Sequence, residues 1–174
     1  GWLGDQAKLY KMHARDAKGA GYARKIAMEL YDGEDYFFQT DSHMRFIQGW
    51  DTKLKDMLLQ SQELSNNKKV ILSQFPAPYT IHSDGKDYYE KGDPDFWDDV
   101  SWTSVVNTWA AVWAGKREVM KDKTKPMKSH TILAGLLFTI GDFVKEIPYD
   151  ERICFMGEEL CIAIRSYTRG WEIY

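Results

Sequence analysis

The chain has 174 residues and a formal net charge of −3. With a pI of about 5.8, its charge gives no support to nucleic-acid binding or to attachment to an anionic membrane surface. Hydrophobic residues make up 44% of the chain, which is enough to bury a core, and the length predicts one domain over 1–174. No apolar run reaches the roughly 20 residues that a membrane-spanning helix needs.

Helical and strand patterns alternate from residue 20 onward. Apolar residues at helical spacing predict an amphipathic helix over 20–30, and Gly33 lies in the turn that ends it. An apolar, aromatic strand over 36–40 follows and stops at Asp41. In this α/β arrangement, functional groups lie at the carboxyl ends of strands.

The next pair of elements repeats this order. The pattern predicts a second amphipathic helix over about 46–64 and a buried strand over 70–73. Two prolines then keep 75–79 extended.

The middle of the chain carries two charged stretches that we predict to be inserted loops. The acidic stretch 84–99 contains scattered aromatic residues and is either a solvated surface loop or a loop that recognises an acceptor. The basic stretch 116–128 is a loop that is either inert or closes over an anionic ligand. Residues 102–113 show strand and helix features together and are left unassigned.

The last third returns to apolar patterns. Residues 130–140 form a second apolar stretch, in which Gly135 indicates a close backbone approach by a strand or a ligand. A short helix is predicted over 143–146. A longer helix begins near Gly157, with Glu158 and Glu159 in its first turn, where the helix dipole favours anions.

Composition gives two further expectations. Cys154 and Cys161 lie in apolar surroundings without the spacing of a metal site, so we expect reduced core thiols and a cytoplasmic or otherwise reducing location. Seven Trp, ten Tyr and eight Phe either fill the core or line a cleft for sugars or similar ligands, and both readings stay open.

The residues that follow the first strand suggest a metal site. Side chains at i and i+2 of an extended segment project to the same side, so Asp41 and His43 can converge on one divalent ion such as Mn²⁺. Diphosphate oxygens would complete the ligand shell. The same residues also fit a capping Asp followed by a partly exposed His, so the motif alone decides nothing.

Several short motifs occur together in a defined order along the chain. They are Ala23-Arg24, Asp41-Ser42-His43, Ala134-Gly135-Leu136-Leu137-Phe138, Pro148-Tyr149-Asp150, Gly157-Glu158-Glu159, Arg165 and Gly170-Trp171. In order and spacing they resemble metal-dependent glycosyltransferases with the GT-A fold. They look most like the family that adds N-acetylglucosamine to hydroxyproline of a cytoplasmic ubiquitin-ligase adaptor, and are more distantly similar to the polypeptide N-acetylgalactosaminyltransferases.

The resemblance implies a fold and a set of roles. The fold would be α/β, with a GT-A-like (Rossmann-like) mixed sheet flanked by helices. Asp41 and His43 match the pair that holds Mn²⁺, or Mg²⁺, against the diphosphate of a UDP-sugar donor such as UDP-N-acetylglucosamine. Arg24 matches a helix that faces the donor, and Gly135 matches a strand glycine close to donor or acceptor.

The two acids of the Gly-Glu-Glu motif complete these implied roles. Glu158, with Glu159 beside it, matches the acid near the donor sugar and the acceptor hydroxyl. Because the similar families are retaining enzymes, positioning of the donor sugar is the expected role, rather than simple general-base catalysis. The acceptor would be a protein or a glycan.

Two departures from the family pattern limit this reading. Only residues 1–18 precede the first helix, so we expect a partial domain that lacks the first βαβ unit of the GT-A sheet. A missing amino-terminal segment or a partner chain would then complete the site. The family's further metal ligand also has no match, although Glu172 offers a carboxylate.

Two functions from different classes therefore stay open. The first is a metal-dependent glycosyltransferase. The second is a non-catalytic or incomplete binding module with the same fold. A metal-dependent hydrolase is disfavoured because the sequence offers no second cluster of His and Asp.

Overall fold

The structure is a computed structural model that describes residues 4–42, 44, 46–74, 79–81, 87–89, 96–105, 111–119, 126–155 and 157–174. For 79–119 it describes the backbone alone. The predicted α/β class is confirmed: a four-stranded mixed sheet is flanked by helices, which is consistent with a Rossmann-like fold. No helix in the described part of the chain is long and apolar enough to cross a membrane.

The main sheet contains, in spatial order, β1 (Tyr36–Thr40), β7 (Leu136–Ile140), β2 (Val70–Ser73) and β8 (Glu172–Ile173). Strand β7 is antiparallel to β1 and β2, while β8 is parallel to β2. The register pairs Thr40 with Leu136, and Ser73 with Leu137. The carboxyl ends of β1 and β2 therefore lie at one edge of the sheet, which we call the carboxyl edge.

Three helices cover one face of this sheet. They are α1 (Ala20–Met28), α3 (Asp142–Glu146) and α4 (Glu158–Tyr167). Alternate strand residues such as Phe37, Ile71 and Leu137 point to this side and join the larger core. Its remaining buried members include Met28, Phe143, Ile147, Ile162 and Trp171.

Helix α2 (Trp50–Ser65) covers the opposite face. The smaller core on that side contains Leu58, Val70, Leu72 and Phe138, with Phe38 packed against it. Because successive strand residues point to opposite faces, the aromatic strand β1 contributes Phe37 to one core and Phe38 to the other. The adjacent residues Phe37 and Phe38 thus pack on opposite faces of the sheet.

Strands 36–40 and 70–73 have the predicted bounds, and α1, α3 and α4 were all expected from the sequence. The predicted start of α2 near residue 46 is wrong, since the helix begins at Trp50. Gly49 precedes it with φ 72°, in the left-handed region that favours glycine. Helical backbone therefore does not extend back to Phe46.

The expected strand position of Gly135 is also wrong. The N–H of Leu136 bonds to the carbonyl of Leu133 at 3.3 Å, which closes a turn over 133–136. Strand β7 begins at Leu136, the last residue of this turn, so Gly135 lies before the strand. The core position expected for Cys154 is likewise wrong, because this free thiol is exposed, whereas the free thiol of Cys161 is half-buried.

Four strands lie within or beside the stretches predicted as loops. Strands β3 (Tyr79–Ile81) and β4 (Asp87–Tyr89) pair with each other, and so do β5 (Phe96–Val105) and β6 (Ala111–Val119), both pairs antiparallel. The loop prediction is therefore wrong for 87–89, 96–99 and 116–119. The register sets Asp98 opposite Arg117, and Asp99 opposite Lys116. Opposite charges at facing positions favour strand pairing, which the sequence pattern taken one stretch at a time does not reveal.

Candidate active site

Arg24 lies near the middle of α1, and its guanidinium contacts two carboxylates and an aromatic ring. Its Nη1 donates to Glu158 Oε1 across 2.9 Å, and its Nη2 lies 3.9 Å from Asp41 Oδ1. Its Cζ lies 5.6 Å from the centre of the Tyr149 ring, within the range of a cation–π interaction. Arg24 thus joins α1, the end of β1 and the start of α4 at the carboxyl edge.

Glu158 is the first residue of α4, and its side chain is only 4% exposed. One carboxylate oxygen, Oε1, accepts from Arg24, and the other, Oε2, accepts the N–H of Gly157 at 3.1 Å. A buried carboxylate is stable only when it is paired and hydrogen-bonded. Both conditions are met here, so Glu158 anchors Arg24 in a fixed position.

Asp41 directly follows β1 and is the more accessible of the two acids that face Arg24. Its side chain is 38% exposed. Its backbone N–H donates to the carbonyl of Gly135 at 3.3 Å, which ties the end of β1 to the turn before β7. The backbone of Asp41 is therefore held, while its carboxylate stays open to a ligand.

The side chain of Glu159 contacts the 133–136 turn. Its Oε1 accepts the backbone N–H of Ala134 at 2.7 Å. Burial raises the pKa of Glu159 above its usual value, and the hydrogen bond from Ala134 opposes part of that rise. One oxygen of this half-buried acid therefore fixes the turn.

Two residues of the site, Gln39 and Tyr149, were given no role from the sequence, although Tyr149 lies in the Pro148-Tyr149-Asp150 motif. Gln39 Nε2 donates to the carbonyl of Ala134 and to the hydroxyl of Tyr149, both at 3.0 Å. Tyr149 is buried, and burial raises its pKa to about 12 although the Arg24 charge lowers it. The usable signal was the alternation along β1, since Phe37, Gln39 and Asp41 share a face.

The structure brings together most of the residues that the sequence proposed. Arg24, Asp41 and Glu158 meet directly, and Glu159 and Gly135 adjoin them through the 133–136 turn. His43 lies outside the described residues.

Glu172 does not join the site. It pairs in register with Val70, at the end of β2 opposite to the carboxyl edge, and accepts from Lys128 Nζ at 2.7 Å. Strand pairing that the sequence pattern did not predict fixes this position. Glu172 is therefore excluded as a metal ligand beside Asp41.

The chemistry of Asp41 fits a divalent cation. A partly exposed carboxylate suits Mn²⁺ or Mg²⁺, which take oxygen ligands and keep positions for water or phosphate. A search of the described residues finds no group of three or more His, Cys, Asp or Glu that could form a complete metal shell. Asp41 would therefore supply one ligand, and ligand oxygens or residues outside the described ranges would supply others.

A cavity of about 290 Å³ lies on the α2 face of the sheet. Its lining is largely apolar and includes Phe38, Phe46, Trp50, Met57, Leu136 and Tyr174. Among the described aromatic residues, Phe143 and Trp171 fill the core, and others line this cavity. The binding of a sugar or similar ligand there stays a prediction.

Comparison with known proteins gives one result for the whole chain. A family model described as Glycosyltransferase (GlcNAc) matches residues 2–174. No curated protein matches the chain. The family match covers every element that forms the contacts of Arg24.

Proposed function

Because the chain belongs to the family described as Glycosyltransferase (GlcNAc), we propose that it transfers N-acetylglucosamine, or a similar hexose, from a UDP-sugar to a hydroxyl of a protein or glycan. The family makes this a glycosyltransferase domain and implies a nucleotide-sugar donor and an acceptor. The contact of Arg24 with both Glu158 and Asp41 carries the proposal, because it sets one cation and two acids at the carboxyl edge.

Asp41 would hold the divalent ion, Mn²⁺ or Mg²⁺, with His43 as the second protein ligand. When bound, the ion would act as a Lewis acid that offsets the charge on the departing diphosphate. The exposed carboxylate of Asp41 and its anchored backbone support this role, since a metal ligand must be both accessible and held in place.

Arg24 would orient the donor. A guanidinium has five N–H donors in a rigid fork, so its contacts with Glu158 and Asp41 leave donors for ligand oxygens. Glu158 would act through Arg24, because both of its oxygens already accept hydrogen bonds within the protein. Such positioning of a reactant accounts for a large part of enzymatic rate enhancement.

Glu159 would contact the donor sugar through the oxygen that Ala134 does not use. A carboxylate accepts hydrogen bonds from sugar hydroxyls and thereby fixes the ring. The transfer breaks the bond between the anomeric carbon and the phosphate oxygen and forms one to the acceptor oxygen. The proton of the acceptor hydroxyl passes to the departing diphosphate. We extend the proposal to retention of the anomeric configuration, as in the similar polypeptide N-acetylgalactosaminyltransferases.

One observation favours the alternative of a non-catalytic binding module. Both oxygens of Glu158 accept hydrogen bonds inside the protein, and its side chain is only 4% exposed, so a sugar has little access to this acid. In that alternative the ion pair with Arg24 has only a structural role. The proposal of a reducing, cytoplasmic location applies to either function and is supported by the two free thiols.

Calorimetric titration of UDP, with and without Mn²⁺, separates the two functions. We expect binding that depends on Mn²⁺ and that weakens about 10-fold or more in Asp41→Asn. Asp56→Asn, which removes an exposed carboxylate from α2, is the matched control and should bind like the wild type. Absence of any UDP binding by the wild type would favour the non-catalytic module, and equal binding by Asp41→Asn would refute the metal role of Asp41.

A further inference from the structure

Gln39 places an amide between two loops of the site. Its Nε2 lies 3.0 Å from the carbonyl oxygen of Ala134 and 3.0 Å from the hydroxyl oxygen of Tyr149. The carbonyl of Ala134 only accepts, so the amide atom that faces it must be the nitrogen, and this fixes the orientation of the carboxamide. The second N–H then donates to the hydroxyl oxygen of Tyr149.

The first acceptor controls the backbone around Asp41. Both backbone polar groups of Ala134 are hydrogen-bonded: its carbonyl accepts from Gln39, and its N–H donates to Glu159. The adjacent carbonyl, that of Gly135, accepts the N–H of Asp41. A shift of this turn would therefore move both Asp41 and the partner of Glu159.

The second acceptor controls the surface beneath Arg24. The guanidinium of Arg24 lies over the ring of Tyr149, 5.6 Å from its centre. The bond from Gln39 fixes the hydroxyl end of that ring. Displacement of the ring would change where the guanidinium rests and how it faces Asp41.

We propose that Gln39 is a positioning residue, which sets Asp41 through the turn at Ala134 and sets Arg24 through Tyr149. A half-buried carboxamide requires such partners, because burial of an amide without hydrogen bonds is unfavourable. The effect on catalysis rests on the proposed function. The effect on the order of the site does not.

Three variants test this proposal. Gln39→Met keeps an unbranched side chain of similar length and removes both hydrogen bonds. Tyr149→Phe removes one of them and keeps the ring under Arg24. Gln62→Leu is the control, because it deletes an amide-to-carbonyl bond of the same kind, from Gln62 Nε2 to the carbonyl of Lys68 at 2.8 Å, on the far side of the sheet.

Amide hydrogen exchange measures the order of the site independently of any activity. In Gln39→Met, we expect the amides of Asp41 and Ala134 to exchange about 10-fold faster or more, while the strand amide of Leu72 keeps its wild-type rate. Tyr149→Phe should change these two amides less, and Gln62→Leu should leave them unchanged. Wild-type rates at both amides in Gln39→Met would overturn the proposal, and so would equal acceleration throughout the sheet.

Steady-state transfer from a UDP-sugar then tests the link to catalysis. A positioning role predicts that Gln39→Met lowers kcat about 10-fold or more while KM for the donor changes less than about 3-fold. An unchanged kcat would overturn the catalytic part. If the wild type neither binds UDP nor transfers sugar, the proposed function fails, and the exchange rates still decide whether Gln39 orders Asp41 and Ala134.

Discussion

Arg24 and Glu158 are 134 positions apart in the chain, and they meet through a 2.9 Å hydrogen bond between Nη1 and Oε1. Their side chains are 21% and 4% exposed, so the pair is largely removed from water. In such surroundings a lone charge is strongly destabilising, while a paired charge is tolerated. The bond therefore fixes how α1 approaches α4, and with it the position of the site.

Removal of Arg24 should destabilise the protein, because it leaves the buried acid Glu158 without its partner. In Arg24→Met, the buried carboxylate of Glu158 loses its counter-charge, and we expect the free energy of unfolding to fall by about 3 kcal/mol. The double variant Arg24→Met/Glu158→Gln should recover part of this loss, because its amide oxygen still accepts from Gly157 and carries no charge. Urea denaturation of both variants near neutral pH measures the two values.

Lys25→Met gives the matched comparison on the next residue of the same helix. Lys25 pairs with Glu151 at 2.7 Å, but this pair is exposed, and exposed ion pairs contribute little. The free energy of unfolding should therefore fall clearly less in Lys25→Met than in Arg24→Met. Equal losses in the two variants, or a double variant as unstable as Arg24→Met, would show that burial of Glu158 is not the cause.

The sequence pattern predicted an element correctly where the residues that begin and end it are its near neighbours in the chain. Strand β1 has the expected bounds because Gly33 precedes it and Asp41 follows it. The start of α4 was visible because Gly157 is followed by two acids in the first helical turn. The meeting of Arg24, Asp41 and Glu158 was anticipated only through the family resemblance, since no local pattern connects three distant segments.

Features that depend on the pairing of distant segments could not be predicted from the sequence. The role of Gln39 depends on Ala134 and Tyr149, which are 95 and 110 positions away. Glu172 was a plausible ligand until the pairing of β8 with β2 placed it away from the carboxyl edge. The turn before β7 was hidden because Leu133 and Leu136, which close it, are as apolar as the strand that follows.

Glu159→Gln should change how stability depends on pH. Burial raises the pKa of Glu159 in the folded state above its usual value. Its protonated form therefore favours folding at low pH, and this contribution is lost as the pH rises through the folded-state pKa. Glutamine keeps an acceptor for Ala134 and does not titrate, so Glu159→Gln should gain stability relative to the wild type between about pH 4 and pH 7.

Urea denaturation at several values across this pH range tests the prediction for Glu159. Glu63→Gln, at an exposed position of α2, serves as a control for the loss of one surface charge. We expect the difference in free energy of unfolding between Glu159→Gln and the wild type to grow as the pH rises. A difference that stays constant or shrinks would contradict the raised pKa.

Glu146→Ala should destabilise the larger core, because it removes the hydrogen-bond acceptor of the buried Trp171 indole. Glu146 Oε2 accepts from Trp171 Nε1 at 3.0 Å and from Lys69 Nζ at 2.8 Å. Trp171 is only 1% exposed, so loss of the acceptor leaves its N–H buried without a partner, which costs about 1–3 kcal/mol. Glu146→Gln keeps an amide oxygen for the indole, so its free energy of unfolding, measured by urea titration, should fall less than that of Glu146→Ala. Equal falls in the two variants would show that loss of the charge causes the effect.

Acidification should weaken this same contact. The hydrogen bond from Lys69 lowers the pKa of Glu146 below its usual value. A carboxyl group whose pKa is lowered on folding stabilises the protein above its unfolded-state pKa and loses that effect as the pH falls through the folded-state value. The stability difference between wild type and Glu146→Gln should therefore narrow below about pH 4, and a difference that widens there would contradict this account.

Gly21→Ala should separate α1 from the loop that leads into α4. A Cβ at Gly21 would lie 2.4 Å from the carbonyl oxygen of Ile153 and 2.9 Å from that of Asp150, so the helix or the loop must move. We expect a loss of about 1–3 kcal/mol in the free energy of unfolding. Because Arg24 lies one turn further along α1, its bond to Glu158 should weaken as well.

A double-mutant cycle between Gly21→Ala and Arg24→Met tests this displacement. If α1 moves, Arg24→Met should cost less in the Gly21→Ala background than in the wild type, because part of the bond is already lost. Ala27→Gly is the control: it lowers helix propensity by about 1 kcal/mol at an exposed position without a steric clash. The cost of Arg24→Met should be unchanged in that background. Full additivity with Gly21→Ala would show that the close approach at Gly21 stabilises α1 without setting the position of Arg24.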